Sequence, residues 1–204
     1  MGFFDSFTRS KPVAGEIGYH KLVEWWNTGL TEIERKWILE VFQPLGSGKN
    51  GLIEGNIVSS SESTLAFLTN LSGWFTKEDD RLIGYKILRH AESNFAQNSK
   101  SMLDIHFFYQ ILIQMHYRDR ADEDHLKEAE NACRRQIDIE VAAGRAFKKD
   151  GFKTLPEHVG FKQLSIILEN RKSFKEAISL AQQAKASGWA GDWDKRIEKY
   201  TNKL

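Results

Sequence analysis

Apolar residues recur at intervals of three and four along almost the whole chain after residue 15, the spacing of one helical face. Tyr19, Leu22, Val23 and Trp26 form the first such face, and Asn27 to Gly29 ends it. Thr31 opens the next helix, with Glu34 three residues on to complete a capping box. Ile33, Trp37, Val41 and Leu45 follow at steps of four, and Pro44 ends the regular part. Ser59 with Glu62 has the form of another capping box, ahead of Leu65, Leu68, Leu71 and Phe75. Thr76, Asp79 and Asp80 then start a helix with a stripe of Ile83, Ile87, Ala91 and Phe95, the acids favoured by the positive end of the helix dipole.

Residues 102–117, MLDIHFFYQILIQMHY, are apolar around most of the helix and predict a central, covered element. After the charged turn DRADED, one helix is predicted to about Phe147, carrying Leu126, Ala129, Cys133, Ile137 and Val141. KKDGFKTLP breaks it. Two helices are predicted over about 157–170 and 174–187, with a short one closing the chain near Lys203. One segment stands apart. Residues 46–58, GSGKNGLIEGNIV, hold four glycines and two asparagines and read as a loop. Within them only Leu52 to Val58 could be extended, and no other strand is expected. The predicted organisation is a flexible tail over 1–15, a helical cap with its Gly-rich loop over 16–58, and helical hairpins over 59–204.

The 204 residues carry 29 basic and 28 acidic side chains, a formal net charge of +1. No field of one sign is available to attract nucleic acid or anionic lipid. Three prolines suit helices, and 41% hydrophobic residues suffice for a core. A single cysteine, Cys133, excludes an internal disulfide and fits a reducing compartment. No run approaches the ~18 apolar residues of a membrane span. The first residues, MGFFDSFTRSK, lack the apolar core of a signal peptide, so the expected location is the cytoplasm. Met1, Gly2 and Ser6 satisfy the loose N-myristoylation pattern; the simpler reading is a tail whose Phe3, Phe4 and Phe7 dock on the body.

Residues 158–191 resemble one tetratricopeptide repeat, a 34-residue pair of antiparallel helices. Phe161, Leu164, Ser165 and Leu168 occupy the first helix's key places, Phe174 the turn aromatic, and Ala177, Ala181 and Ala184 the small positions of the second. Lys172 departs from the pattern where glycine is usual, and Trp189 where proline is common. Residues 102–141 repeat the scheme with a lengthened turn, and 60–96 form a looser pair. The closing GWAGDWDKRIEKY is similar to the end of uncharacterised bacterial tetratricopeptide-like proteins. The resemblance implies an all-α fold: a right-handed α-α superhelix of antiparallel hairpins behind an N-terminal helical cap.

Candidate chemistry is thin. The six histidines (His20, His90, His106, His116, His125 and His158) show no HExxH, no pair three or four apart and no cysteine cluster, so no metal is expected. Gly46, Gly48 and Lys49 echo a phosphate loop, but Gln43 and Asn50 stand where glycine and Ser or Thr are required. No nucleophile elbow occurs, Cys133 sits on a small-residue face, and the six tryptophans lack the basic stripe of a base-stacking surface. No cofactor and no catalytic residue are expected.

One polar feature remains. His106, Gln110 and Gln114 recur every four residues on the 102–117 helix, with Tyr117 in line. In the tetratricopeptide family the first helix of each hairpin lines a concave groove, so the resemblance implies that this stripe faces it. Lys162, Glu169 and Asn170 would be the matching face of the last repeat. An alternative reading makes the stripe the wet side of a buried helix. The preferred function is a non-catalytic module that holds a peptide or helix of a protein partner in the groove. Two rivals stand beside it: an enzyme or enzyme subunit with a polar site assembled around His106 and His116, and a structural subunit that assembles through Trp189, Trp193 and the terminal helix, including as a homo-oligomer.

Overall fold

The computed structural model describes residues 13–46 and 50–204. The chain is mostly helical and divides into two units, 1–63 and 64–204. Phe3, Phe4, Phe7 and the myristoylation pattern fall outside the described residues, as do Gly48 and Lys49.

In the first unit the Tyr19–Trp26 face is split in two. Helix α1 spans Gly15–Tyr19 and α2 spans Val23–Thr28, because Lys21 turns the chain between them with φ of 58°. The start of α1 has no side-chain cap. The glycine loop supplies the acceptors instead: Ala14 N–H donates to the carbonyl of Ile53 at 2.8 Å, Gly15 to Gly55 at 3.1 Å and Ile17 to Leu52 at 3.0 Å. These satisfy backbone donors that a helix start leaves open. Ala14 and Gly15, predicted as tail, are thereby bonded to the loop segment 50–55, in which Leu52 is buried. Gly15 is obligatory here. Its φ is +55°, and an added Cβ would lie 2.3 Å from the carbonyl oxygen of Gly51.

Helix α3 spans Glu32–Val41 and begins with the predicted box: Thr31 Oγ1 accepts from Glu34 N–H at 3.2 Å while Thr31 N–H donates to the Glu34 carboxylate at 2.8 Å. Its buried face is Ile38 followed by Phe42, not the Ile33–Trp37–Val41–Leu45 row, of which Ile33 is 81% exposed. Two apolar rows with the same spacing run along α3, and spacing alone cannot choose between them.

The second unit opens with α4 (Thr64–Ser72), α5 (Arg81–Asn94) and a 3-10 turn, Ala96–Asn98. Helix α4 starts five residues after Ser59, so the Ser59–Glu62 box does not form; Glu62 N–H is bound by Ser60 Oγ at 3.1 Å. Asp80 stands as the residue before α5, and Thr76 to Asp79 belong to the turn. Helix α6 spans Met102–Arg118, capped by Ser101, and α7 spans Glu123–Asp138, capped by Asp122. The helix predicted to run to Phe147 breaks at Ile139, and a separate α8, Glu140–Lys149, follows. Val141, predicted as core, is 57% exposed. The chain ends with α9 (Val159–Asn170), α10 (Phe174–Ala186) and α11 (Trp193–Thr201).

Three consecutive helix pairs carry this unit: α4 with α5, α6 with α7, and α9 with α10. The first members meet one another, α4 on α6 and α6 on α9, while α7 also packs on α9 and α11 covers α10. Phe161, Leu164, Ser165 and Leu168 are buried on α9, and Ala177, Ala181 and Ala184 are fully buried on α10. Large residues of one helix thus fill the space left by alanines of the next. Lys172, where a glycine was expected, takes the left-handed conformation itself, with φ of 60°. Gly160 lets α9 approach α7, since a Cβ there would sit 2.8 Å from Gln136 Oε1.

The strand reading needs correction. Leu155–Glu157 (β1) and Trp189–Ala190 (β2) form a two-stranded parallel pairing, with Leu155 opposite Trp189. Trp189 is buried, its Nε1–H donates to Glu140 Oε2 at 2.9 Å, and Ser187 Oγ donates to Glu140 Oε1 at 2.9 Å. Trp193 is buried as well and donates from Nε1 to the Trp189 carbonyl at 2.8 Å. The two tryptophans assigned to subunit assembly are therefore interior residues of the fold.

Candidate functional site

Helix α6 sits between α4, α7, α8 and α9, and its side chains divide by helical phase. His106, Phe108, Tyr109, Leu112, Ile113 and Met115 point inward and are buried. Phe107, Gln110, Ile111, Gln114 and Tyr117 follow at steps of three and four on the opposite side, with Phe107 43% exposed and Gln114 exposed.

The predicted stripe is thus corrected at its first residue. Steps of four drift by about 40° each on a helix of 3.6 residues per turn. His106 is rolled into the core, and Phe107 takes its place on the outer face. His106 stacks on Trp189, with centroids 5.6 Å apart and planes 4° from parallel, and meets Phe147 at 5.3 Å and His158 at 5.1 Å edge-on. Burial pushes the His106 imidazole down to about 4. Burial and the neighbouring His106 push His158 down to about 3. His158 Nδ1 accepts from Phe161 N–H at 3.3 Å and so starts α9, which leaves the ring proton on Nε2. Gln136 closes this core: Nε2 donates to the His106 carbonyl at 2.9 Å, and Oε1 accepts from Gly160 N–H at 2.7 Å.

A second polar cluster lies near the C-terminal end of α6. His116 Nδ1 and His125 Nδ1 are 2.9 Å apart, so one ring donates and the other accepts. Tyr85 packs against both rings at 4.9 Å, and its hydroxyl donates to Asp119 Oδ2 at 2.7 Å, while Oδ1 of the same carboxylate pairs with Arg81. Burial, then the His125 charge, push His116 down to about 4. Burial and Asp119 hold the Tyr85 hydroxyl protonated, its ionisation raised. This cluster ties α5, α6 and α7 together. His106 and His116 do not share a site: ten residues along α6 separate them by about 15 Å. Among the described residues no group of three or more His, Cys, Asp or Glu could hold a metal ion, and no helix is long and apolar enough to cross a membrane. Cys133 is buried, and burial raises its thiol to about 12.

Two surface cavities of about 250 Å³ each adjoin the outer face of α6. One lies between α4 and α6, lined by Ala66, Thr69, Asn70, Asp104, Phe107, Gln110 and Ile111. The other lies between the α6–α7 turn and the end of α9, lined by Tyr117, Arg120, Leu126, Ile167, Asn170 and Arg171. Gln110 thus borders the first cavity, Tyr117 and Asn170 the second, and Gln114 the surface between. Lys162 and Glu169 are engaged elsewhere. Lys162 Nζ lies 2.9 Å from Glu157, and Glu169 binds Lys199 and Lys203, whose ammonium groups hold its carboxyl below the usual range. Phe107, Arg120 and Arg171 were not expected at the site; in sequence Phe107 is indistinguishable from the core aromatics beside it.

Compared with protein-family models, with curated proteins and with solved structures, the chain finds no match in any of the three.

Proposed function

We propose that this chain is a non-catalytic, tetratricopeptide-like helical-repeat module that holds a peptide or helix of a protein partner along the outer face of α6. The observation that carries the reading is the pair of cavities at the two ends of the Phe107–Gln110–Gln114–Tyr117 line. Ten residues of helix place Phe107 and Tyr117 about 15 Å apart, a span that two side-chain anchors of one short segment can bridge. Between the anchors, the Gln110 and Gln114 amides offer both donors and acceptors, which suits a peptide backbone. Three successive helix pairs, with their first members in contact, support a right-handed superhelix whose groove these helices line. Fold and surface shape support this reading together, since fold alone does not fix function.

The test is affinity capture from the source cells with the wild-type chain, Gln110→Ala/Gln114→Ala, and Lys149→Ala on α8 as control. A partner retained by the control and lost from the double variant is expected. Partners that all survive the double change contradict the proposal.

A further inference from the structure

The two cavities differ in charge, and this gives the ligand a direction. At the α6–α9 end, Arg120 Nη1 donates to the Tyr117 carbonyl at 3.1 Å, and the guanidinium lies 4.8 Å over the Tyr117 ring. It has no carboxylate partner among the described residues. Arg171, across the cavity, shares the Glu130 carboxylate with Arg134. Leu126 and Ile167 give the space between them an apolar floor. A carboxylate on a short aliphatic stem satisfies both features: the stem covers Leu126 and Ile167, and the oxygens meet the remaining donors of Arg120. At the α4–α6 end the walls are Ala66, Phe107 and Ile111, and the charged residue at the rim is Asp104. An apolar side chain fits against these walls, and among the described residues no basic side chain lines the cavity to receive a carboxylate.

Resting on the groove reading above, we infer that the bound segment is acidic at one end and apolar at the other, with its Asp or Glu side chain in the α6–α9 cavity and its apolar side chain in the α4–α6 cavity. The spacing follows from the geometry. A separation of about 15 Å corresponds to four or five residues of extended peptide, or about ten of helix.

The experiment uses the full chain and a phage-displayed library of random dodecapeptides. Selected peptides are synthesised, and their affinities for the wild type, Arg120→Gln and Gln110→Ala/Gln114→Ala are measured by fluorescence anisotropy. The expected peptides pair an acidic residue with an apolar one at one of those two spacings. Both variants weaken them, Arg120→Gln by about tenfold, and added salt weakens wild type more than Arg120→Gln. Peptides without an acidic preference that are lost from the double variant, yet bind Arg120→Gln as well as wild type, overturn the charge assignment and leave the groove standing. Peptides indifferent to both variants, or no selected peptide at all, overturn the groove reading itself.

Discussion

Single residues carry much of the specificity of the second unit. His106 and His158 are buried as neutral rings, and His116 is held neutral beside His125. Their folded-state ionisation lies below the unfolded value of 6.5, so the unfolded chain binds more protons under acid conditions. The stability this neutrality contributes is intact above pH 6.5 and is lost as pH falls from there toward about 4 for His106 and His116 and about 3 for His158. Each such histidine adds up to about 1.4 kcal/mol per pH unit to the loss. Urea midpoints measured between pH 7.5 and 5 are expected to fall, and to fall less steeply in His106→Phe; equal slopes in the two proteins contradict the burial argument. Gln136 is the second test at this scale. Truncation to alanine orphans the buried Gly160 N–H and removes the second donor to the His106 carbonyl, and a loss of about 2 kcal/mol is expected by chemical denaturation. A loss within experimental error means that the bridge contributes nothing.

Helices were legible as elements, and so were several of the points where they turn, such as the charged turn before α7, but not all of them. The Thr31–Glu34 box appears as read, because its side chains meet within one turn. The turn between α9 and α10 was read where it falls, but the break between α1 and α2 was missed because no glycine marks it. Lys21 and Lys172 adopt the left-handed conformation that glycine signals, without being glycine. The break between α7 and α8 passes through Ile139 at φ −97° and ψ 2°, close enough to helical that the apolar spacing runs straight across it. The β1–β2 pairing is two and three residues long and depends on Trp189 reaching Glu140, a contact 49 residues apart in sequence. Two substitutions test the elements. Gly15→Ala combines a left-handed residue with a clash against Gly51, and is expected to cost about 3 kcal/mol in the first unit; an unchanged unfolding curve contradicts the loop capping. Ala181→Leu, at a fully buried position between α9, α10 and α11, should cost about 2 kcal/mol through overpacking. If it stabilises the protein, the alanine face is not the tight contact described.

At the scale of the whole molecule, the mostly helical fold was legible because three-and-four spacing covers nearly every segment. The candidate site was legible in part. Gln110, Gln114, Tyr117 and Asn170 lie on or beside the cavities, whereas His106 was misplaced by the drift of a four-residue step, and Lys162 and Glu169 are held in ion pairs. The Arg120 rim could not be read in advance, since it depends on the α6–α7 turn meeting the end of α9. The central claim is that the outer face of α6 receives a partner segment, and site-specific photo-crosslinking in the source cells tests it most directly. With the photoreactive residue p-benzoylphenylalanine at Gln114, a discrete adduct is expected; with the same probe at exposed Asn131 on α7, none is. No adduct from Gln114, or the same adducts from both positions, would contradict the account.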